Sequence, residues 1–154
     1  MSIAKSGFNA WLLLRGLRTL PMRLQQITAT TETIIHFLKA QPTVESVIFP
    51  FENDFPQVEL AHRQMKGACG LLTFILKEVS LAQIEHFCET LRHIKMAVSW
   101  GGHESLIIPR CAGMAMHQFN IKNKEHRMLR LYVGLEDAAY IIKDLQAAFD
   151  TIPV

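Results

Sequence analysis

The chain has 154 residues, enough for one domain with its own core. Hydrophobic residues make up 49% of it and charged residues 19%, which excludes a disordered chain. Sixteen basic residues against fourteen acidic ones leave a net charge of +2, too balanced to predict nucleic-acid or membrane-surface binding.

Three cysteines, Cys69, Cys88 and Cys111, are irregularly spaced and odd in number. This argues against a disulfide framework and predicts a reducing, cytoplasmic setting. No apolar run reaches the ~20 residues of a membrane helix. The patch Ala10 to Leu14 ends at Arg15 and has no cleavage-like flank, so it is not read as a signal peptide.

In chain order, Ser6 to Leu20 reads as a helix with Ser6 as N-cap. Its apolar residues, including Phe8, Trp11, Leu13, Leu14 and Leu17, go most of the way round. Such a helix is buried on several sides. It is either central to this domain or belongs against something larger. Pro21 ends or kinks it. A second helix, Met22 to Ala40, carries the stripe Leu24, Ile27, Thr31, Ile34, Ile35 and Leu38.

Val44 to Phe49 reads as a strand stopped by Pro50, and Val58 to Met65 as a short helix. Leu71 to Leu76 is a strand-length apolar run. Ser80 caps a helix whose Leu81, Ile84, Phe87, Cys88 and Leu91 share a face. Met96 to Ser99 reads as a strand, Leu106 to Arg110 as a short extended piece, and Met128 to Val133 as the last strand. The stretch 113–123 reads as loop with a little helix. A final helix begins near Leu135, with Glu136 and Asp137 at the positive end of its dipole. The pattern predicts an α/β sandwich: one sheet of about four strands, helices packed on it, and two helices leading in.

Several chemistries are excluded by motif. No phosphate-binding glycine loop and no nucleophile elbow are present. His103-Glu104 begins like a zinc-protease helix, but Ile107 stands where the second histidine belongs. No metal site is predicted. Two stretches remain, SWGGHESL from Ser99 to Leu106 and RLYVGLED from Arg130 to Asp137. The first is a tight turn with Trp100 packed in the core, or a backbone cradle with the indole walling a small-molecule site. Arg130 stands alone in an apolar strand. Either it is salt-bridged to Glu104 or Glu136, or it binds a carboxylate from outside.

These stretches carry a resemblance. SWGGHESL, then LRLYVGLED and an amphipathic last helix, resembles the C-terminal end of the trans-sulfuration enzymes. These are the pyridoxal-phosphate (PLP) enzymes of cysteine and methionine metabolism: cystathionine synthases, cystathionine lyases and methionine lyase. RGLRTLPMR, Arg15 to Arg23, resembles their helix joining the large domain to the small one. The segments 47–50, 56–65 and 67–76 resemble the strand, helix and strand that precede the turn.

The resemblance implies roles. Arg130 matches the arginine that holds the substrate α-carboxylate, and Ser99 the serine beside it. Trp100 shapes the pocket and looks most like bacterial cystathionine β-lyases. Residues 1–40 would be the end of a large domain and interdomain helices, and 41–154 a small C-terminal domain of a fold-type-I PLP enzyme. The Schiff-base lysine and phosphate cradle would lie in the missing large domain, since Lys39, Lys66, Lys77 and Lys95 match no such motif. The chain alone is therefore expected to bind no PLP and to be inert. The whole enzyme is expected to be a homo-oligomeric carbon–sulfur lyase acting on cystathionine or a related amino acid. The alternatives are a cystathionine γ-synthase or methionine γ-lyase activity, or a free-standing, non-catalytic interaction domain.

Overall fold

The computed structural model describes residues 6–153. Among the described residues there are five α-helices, two short 3-10 turns and one five-stranded sheet. Helices α1 (Gly7–Arg18) and α2 (Leu20–Ala40) lead in. They are followed by β1 (Val44–Ile48), α3 (Val58–Gln64), β2 (Leu71–Leu76) and α4 (Leu81–Thr90). Next come β3 (Lys95–Met96), β4 (Leu106–Pro109), β5 (Met128–Tyr132) and α5 (Ala138–Phe149).

The strand order is β1-β2-β5-β4-β3. All neighbours are antiparallel except β3 and β4, which are parallel. Strand residues alternate between faces. Leu72, Phe74 and Leu76 of β2, Ile107 of β4, and Leu129 and Leu131 of β5 point into the core. There they meet Ile34, Ile35 and Leu38 of α2, Ile84 and Phe87 of α4, and Ile141, Leu145 and Phe149 of α5. Phe149 sits at the centre, its ring 5.0 Å from Phe87 and 6.1 Å from Phe74. The helices cover one face of the sheet. Part of the other face is bare, an arrangement antiparallel sheets allow.

The α/β expectation holds, with three local corrections. The sheet has five strands because Leu106–Pro109 is the rung between β5 and β3, not an isolated extended piece. The strand expected over Met96 to Ser99 is only Lys95–Met96, with one further bond from the Ala97 amide to the Ile107 carbonyl at 3.1 Å. The last helix starts at Ala138, not near Leu135. Asp137 is its N-cap, its Oδ1 accepting from the Ala139 amide at 2.8 Å. Glu136 lies ahead of the cap and is engaged elsewhere.

Local chemistry explains the other boundaries. The Ser6 hydroxyl accepts from the Asn9 amide at 3.2 Å and starts α1. The break to α2 falls at Thr19, two residues before Pro21, because a proline ring excludes a helical bond to the carbonyl four residues back. Ser80 and Gln83 form a reciprocal capping box at the start of α4. Asp144 of α5 is buried, and its carboxylate accepts three amides, those of Arg92, His93 and Ile94, each at 2.9 Å. That fixes the entry to β3, and with it the start of the loop that follows.

Helix α1 is the exception to the packing. It has no buried residue, and Phe8, Trp11, Leu12, Leu13, Leu14 and Leu17 are all exposed. Among the described residues, no helix is long and apolar enough to cross a membrane.

Two outcomes follow from this packing. Burying each large side chain of α1 is worth roughly 1.5–3 kcal/mol, so the isolated chain should self-associate through it. Sedimentation velocity should show a concentration-dependent shift that the double change Leu13→Glu, Leu17→Glu removes. The thiols should also differ. Cys69 is exposed. Burial, with smaller contributions from Cys111 and Glu89, pushes the Cys88 thiol up to about 12, and burial raises Cys111 as well. At pH 8 a thiol reagent should titrate Cys69 promptly and the other two only after denaturation.

Candidate functional site

Arg130 lies at the middle of β5, on the face away from the helices. It is in register with Thr73 on one side and Ile108 on the other, and Thr73 with Ile48 beyond it. These four side chains form one cross-strand row on the uncovered face. An open cleft of about 410 Å³ runs over Thr73, Arg130 and Ile108 of this row, with Val98, Pro109 and Met128 also in its wall.

Neither expected salt bridge is formed. Among the described residues no carboxylate lies within ion-pair reach of Arg130. Its guanidinium donates to the backbone carbonyl of Val98 and, at 3.5 Å, to that of Ser99. The other arginine of the cleft, Arg110, is paired with Glu125 at 2.8 Å. Glu104 pairs instead with His103 at 3.0 Å, on the surface.

Glu136 clamps the loop. Its Oε1 accepts from the Ser105 amide at 2.7 Å and its Oε2 from the Ser105 hydroxyl at 2.8 Å. The same hydroxyl accepts from the Gly134 amide at 2.9 Å. Gly134 is required by close approach: a Cβ there would lie 2.3 Å from the His103 carbonyl oxygen. The Tyr132 hydroxyl, whose proton is held more firmly than usual chiefly because of burial, donates to the Gly102 carbonyl at 3.0 Å. Just ahead of these pins the chain turns at Gly101, whose φ of +85° suits glycine.

The sequence-predicted residues are only partly brought together. Ser99 meets Arg130 through its backbone carbonyl, not its hydroxyl. Trp100 is 62% exposed, so the packed-core reading of it is wrong. It lies on the same anchored loop and is not among the residues lining the Arg130 cleft. Sequence reasoning missed Tyr132 and Ser105, and it read Glu136 only as a dipole partner or salt bridge. Ser105 is 1% exposed, but its role rests on a partner 31 residues away and nothing local in the sequence marks it. Among the described residues no group of three or more His, Cys, Asp or Glu could hold a metal ion.

Comparison with known proteins bears on this geometry. The family model for Cys/Met metabolism PLP-dependent enzymes matches residues 2–150. Cystathionine gamma-lyase of Dictyostelium discoideum is 36% identical over 94% of this chain, which covers 38% of that protein. The chloroplastic cystathionine beta-lyase of Arabidopsis thaliana is 31% identical over 96% of the chain and 32% of its own length. Among solved structures, cystathionine gamma synthase from Xanthomonas oryzae pv. oryzae, in complex with aminoacrylate and cysteine, superposes with a TM-score of 0.79. It is 34% identical, over 94% of this chain and 38% of that one. The chain thus spans about a third of the length of the relatives it matches.

The clamp can be tested directly. Ser105→Ala leaves the Gly134 amide buried without its acceptor and should cost about 1–3 kcal/mol in chemical denaturation. In a Trp11→Phe background, where Trp100 is the sole tryptophan, the same change should lower the fluorescence anisotropy of the loop.

Proposed function

The chain belongs to the Cys/Met metabolism PLP-dependent enzymes, and we propose that it is the C-terminal, substrate-holding domain of a carbon–sulfur lyase. The observation that carries this reading is Arg130: a guanidinium without a carboxylate partner, fixed by strand register in an open cleft. A planar guanidinium presents two parallel N–H donors, the geometry a carboxylate accepts. The α-carboxylate of an amino-acid substrate would take Arg130 from the carbonyls of Val98 and Ser99. The Ser99 hydroxyl would stand beside that carboxylate, and Trp100 would wall the substrate side chain.

PLP is the cofactor of the family and supplies an electron sink when bound. The Arg130 cleft does not itself fit that group, since no lysine among the described residues lines it. The Schiff base and the phosphate contacts belong to the large domain, and this chain alone is inert. The interdomain helices would run to residue 40, the second half of α2 being built into the small-domain core through Ile34, Ile35 and Leu38. Helix α1 and the start of α2 would pack on the large domain, which accounts for their exposed apolar surface. Residues 1–5 and 154 of the two domains lie outside the described residues.

The substrate would be cystathionine or a related thioether. The likeness to a solved γ synthase supports synthase chemistry on the same carboxylate site as the second reading. Free thiols support a reducing, cytoplasmic setting, and the whole enzyme would be a homo-oligomer.

The test is Arg130→Lys in the full-length enzyme. The charge stays and the fork is lost, so kcat/KM should fall by the equivalent of roughly 2–3 kcal/mol. Cofactor absorbance should be unchanged. Equal turnover, or loss of cofactor together with the fold, would overturn the assignment.

A further inference from the structure

Arg110 shares the cleft with Arg130, and a single carboxylate on Arg130 leaves it unused. Strand β4 pairs Ile108 with Arg130, and one step further the Arg110 amide donates to the Met128 carbonyl at 2.8 Å. The ladder therefore runs one residue past Pro109. Ile108 and Arg110 are two apart on one strand, Met128 and Arg130 two apart on the next, and residues so spaced share a face. All four line the cleft. They make a square, with guanidinium side chains at two opposite corners and apolar ones at the other two. Diagonal positions of this kind lie about 7–8 Å apart.

Two cations on neighbouring strand positions repel, and none of the residues lining the cleft is acidic. Glu125 stands at the rim, on the short turn Lys124–Arg127. It meets Arg110 through a single hydrogen bond, Nη2 donating to Oε2 at 2.8 Å. The other guanidinium donors of Arg110 and the Oε1 of Glu125 have no partner among the described residues. Both side chains are open to solvent, 60% and 58% exposed, and an exposed pair of this kind is held only weakly. An arginine and a carboxylate side by side complement an α-amino-acid end: the guanidinium takes its carboxylate and the glutamate its ammonium. Such a guest leaves neither partner short of a counter-charge, whereas a plain anion would leave Glu125 without its cation.

We infer, on the reading of Arg130 as the α-carboxylate site, that Arg110 and Glu125 hold the distal amino-acid end of the substrate. Ile108 and Met128, at the other two corners of the square, floor the thioether chain between the two ends. The substrate class is then a thioether with an amino-acid group at each end, as in cystathionine, and not one with a single such group, as in methionine. Arg110 and Glu125 are the residues that make that distinction.

The test compares two substrates of the full-length enzyme, cystathionine and a thioether cut at the same bond but lacking the distal amino and carboxyl groups. That is S-propyl-L-cysteine where the bond on the cysteine side breaks, and ethionine where the bond on the homocysteine side breaks. The wild type should favour cystathionine in kcat/KM. Arg110→Ala should cut that preference by about tenfold, the loss of one charge-assisted contact, and Glu125→Gln should cut it in the same direction. Arg130→Lys should lower both substrates together and leave their ratio in place. A wild type without the preference, or a ratio that neither Arg110→Ala nor Glu125→Gln moves, would overturn the inference and leave the Arg130 site standing. Unchanged turnover of both substrates in Arg130→Lys would overturn the site itself, and the distal contact with it.

Discussion

An arginine in the middle of a central strand has one place to go, and that constraint organises the candidate site. Strand β5 is paired on both edges, to β2 and to β4, so its register cannot slip without moving Leu129 and Leu131 out of the core. With those two leucines inward, Arg130 must stand on the other face. Helices α2, α4 and α5 pack on the leucine side. Water and a neighbouring loop are then what remain to solvate the guanidinium. The loop supplies two carbonyls, at Val98 and Ser99, and these cover part of the charge without neutralising it.

The loop keeps that position because its other end is tied to the same strand. Tyr132 is two residues beyond Arg130 and holds Gly102. Gly134, two further on, meets Ser105, which Glu136 secures. Alternate residues after Arg130 thus each hold a successive point of the 99–105 segment. The strand, the turn and the loop form one unit, and Trp100 is presented on it, not packed beneath it.

Locally encoded parts of this arrangement were legible in the sequence. The Ser80 cap and the stripe Leu81, Ile84, Phe87, Cys88 define α4 within a few residues, and the structure has that helix. Arg130 was legible as an anomaly, a charge in an apolar run. What the sequence hid depends on distant contacts. Leu106–Pro109 is too short and too near a proline to declare itself a strand, and it becomes one only between β3 and β5. Beyond Ala97 the expected strand stops because the carbonyls of Val98 and Ser99 face Arg130, about thirty residues away, where ladder bonds would otherwise form. The Ser105–Glu136 clamp spans 31 residues and has no local signature.

Arg127 and Arg130 show how far residue type alone falls short as a guide to function. They are three positions apart at the two ends of one short stretch. Arg127 is buried and anchored by a carboxylate and a backbone carbonyl, so most of its charge goes to joining β1, β2 and the turn before β5. Removing it would leave Glu45 short of a partner at a packed junction, a structural loss. Arg130 is half-buried, with carbonyl dipoles and no counter-charge. A cation held by dipoles alone keeps its affinity for an anion, whereas one already paired must give up its partner first. Of the two, Arg130 is therefore the residue whose chemistry is free to act on a molecule arriving from outside, and the fold spends its central strand on keeping it there.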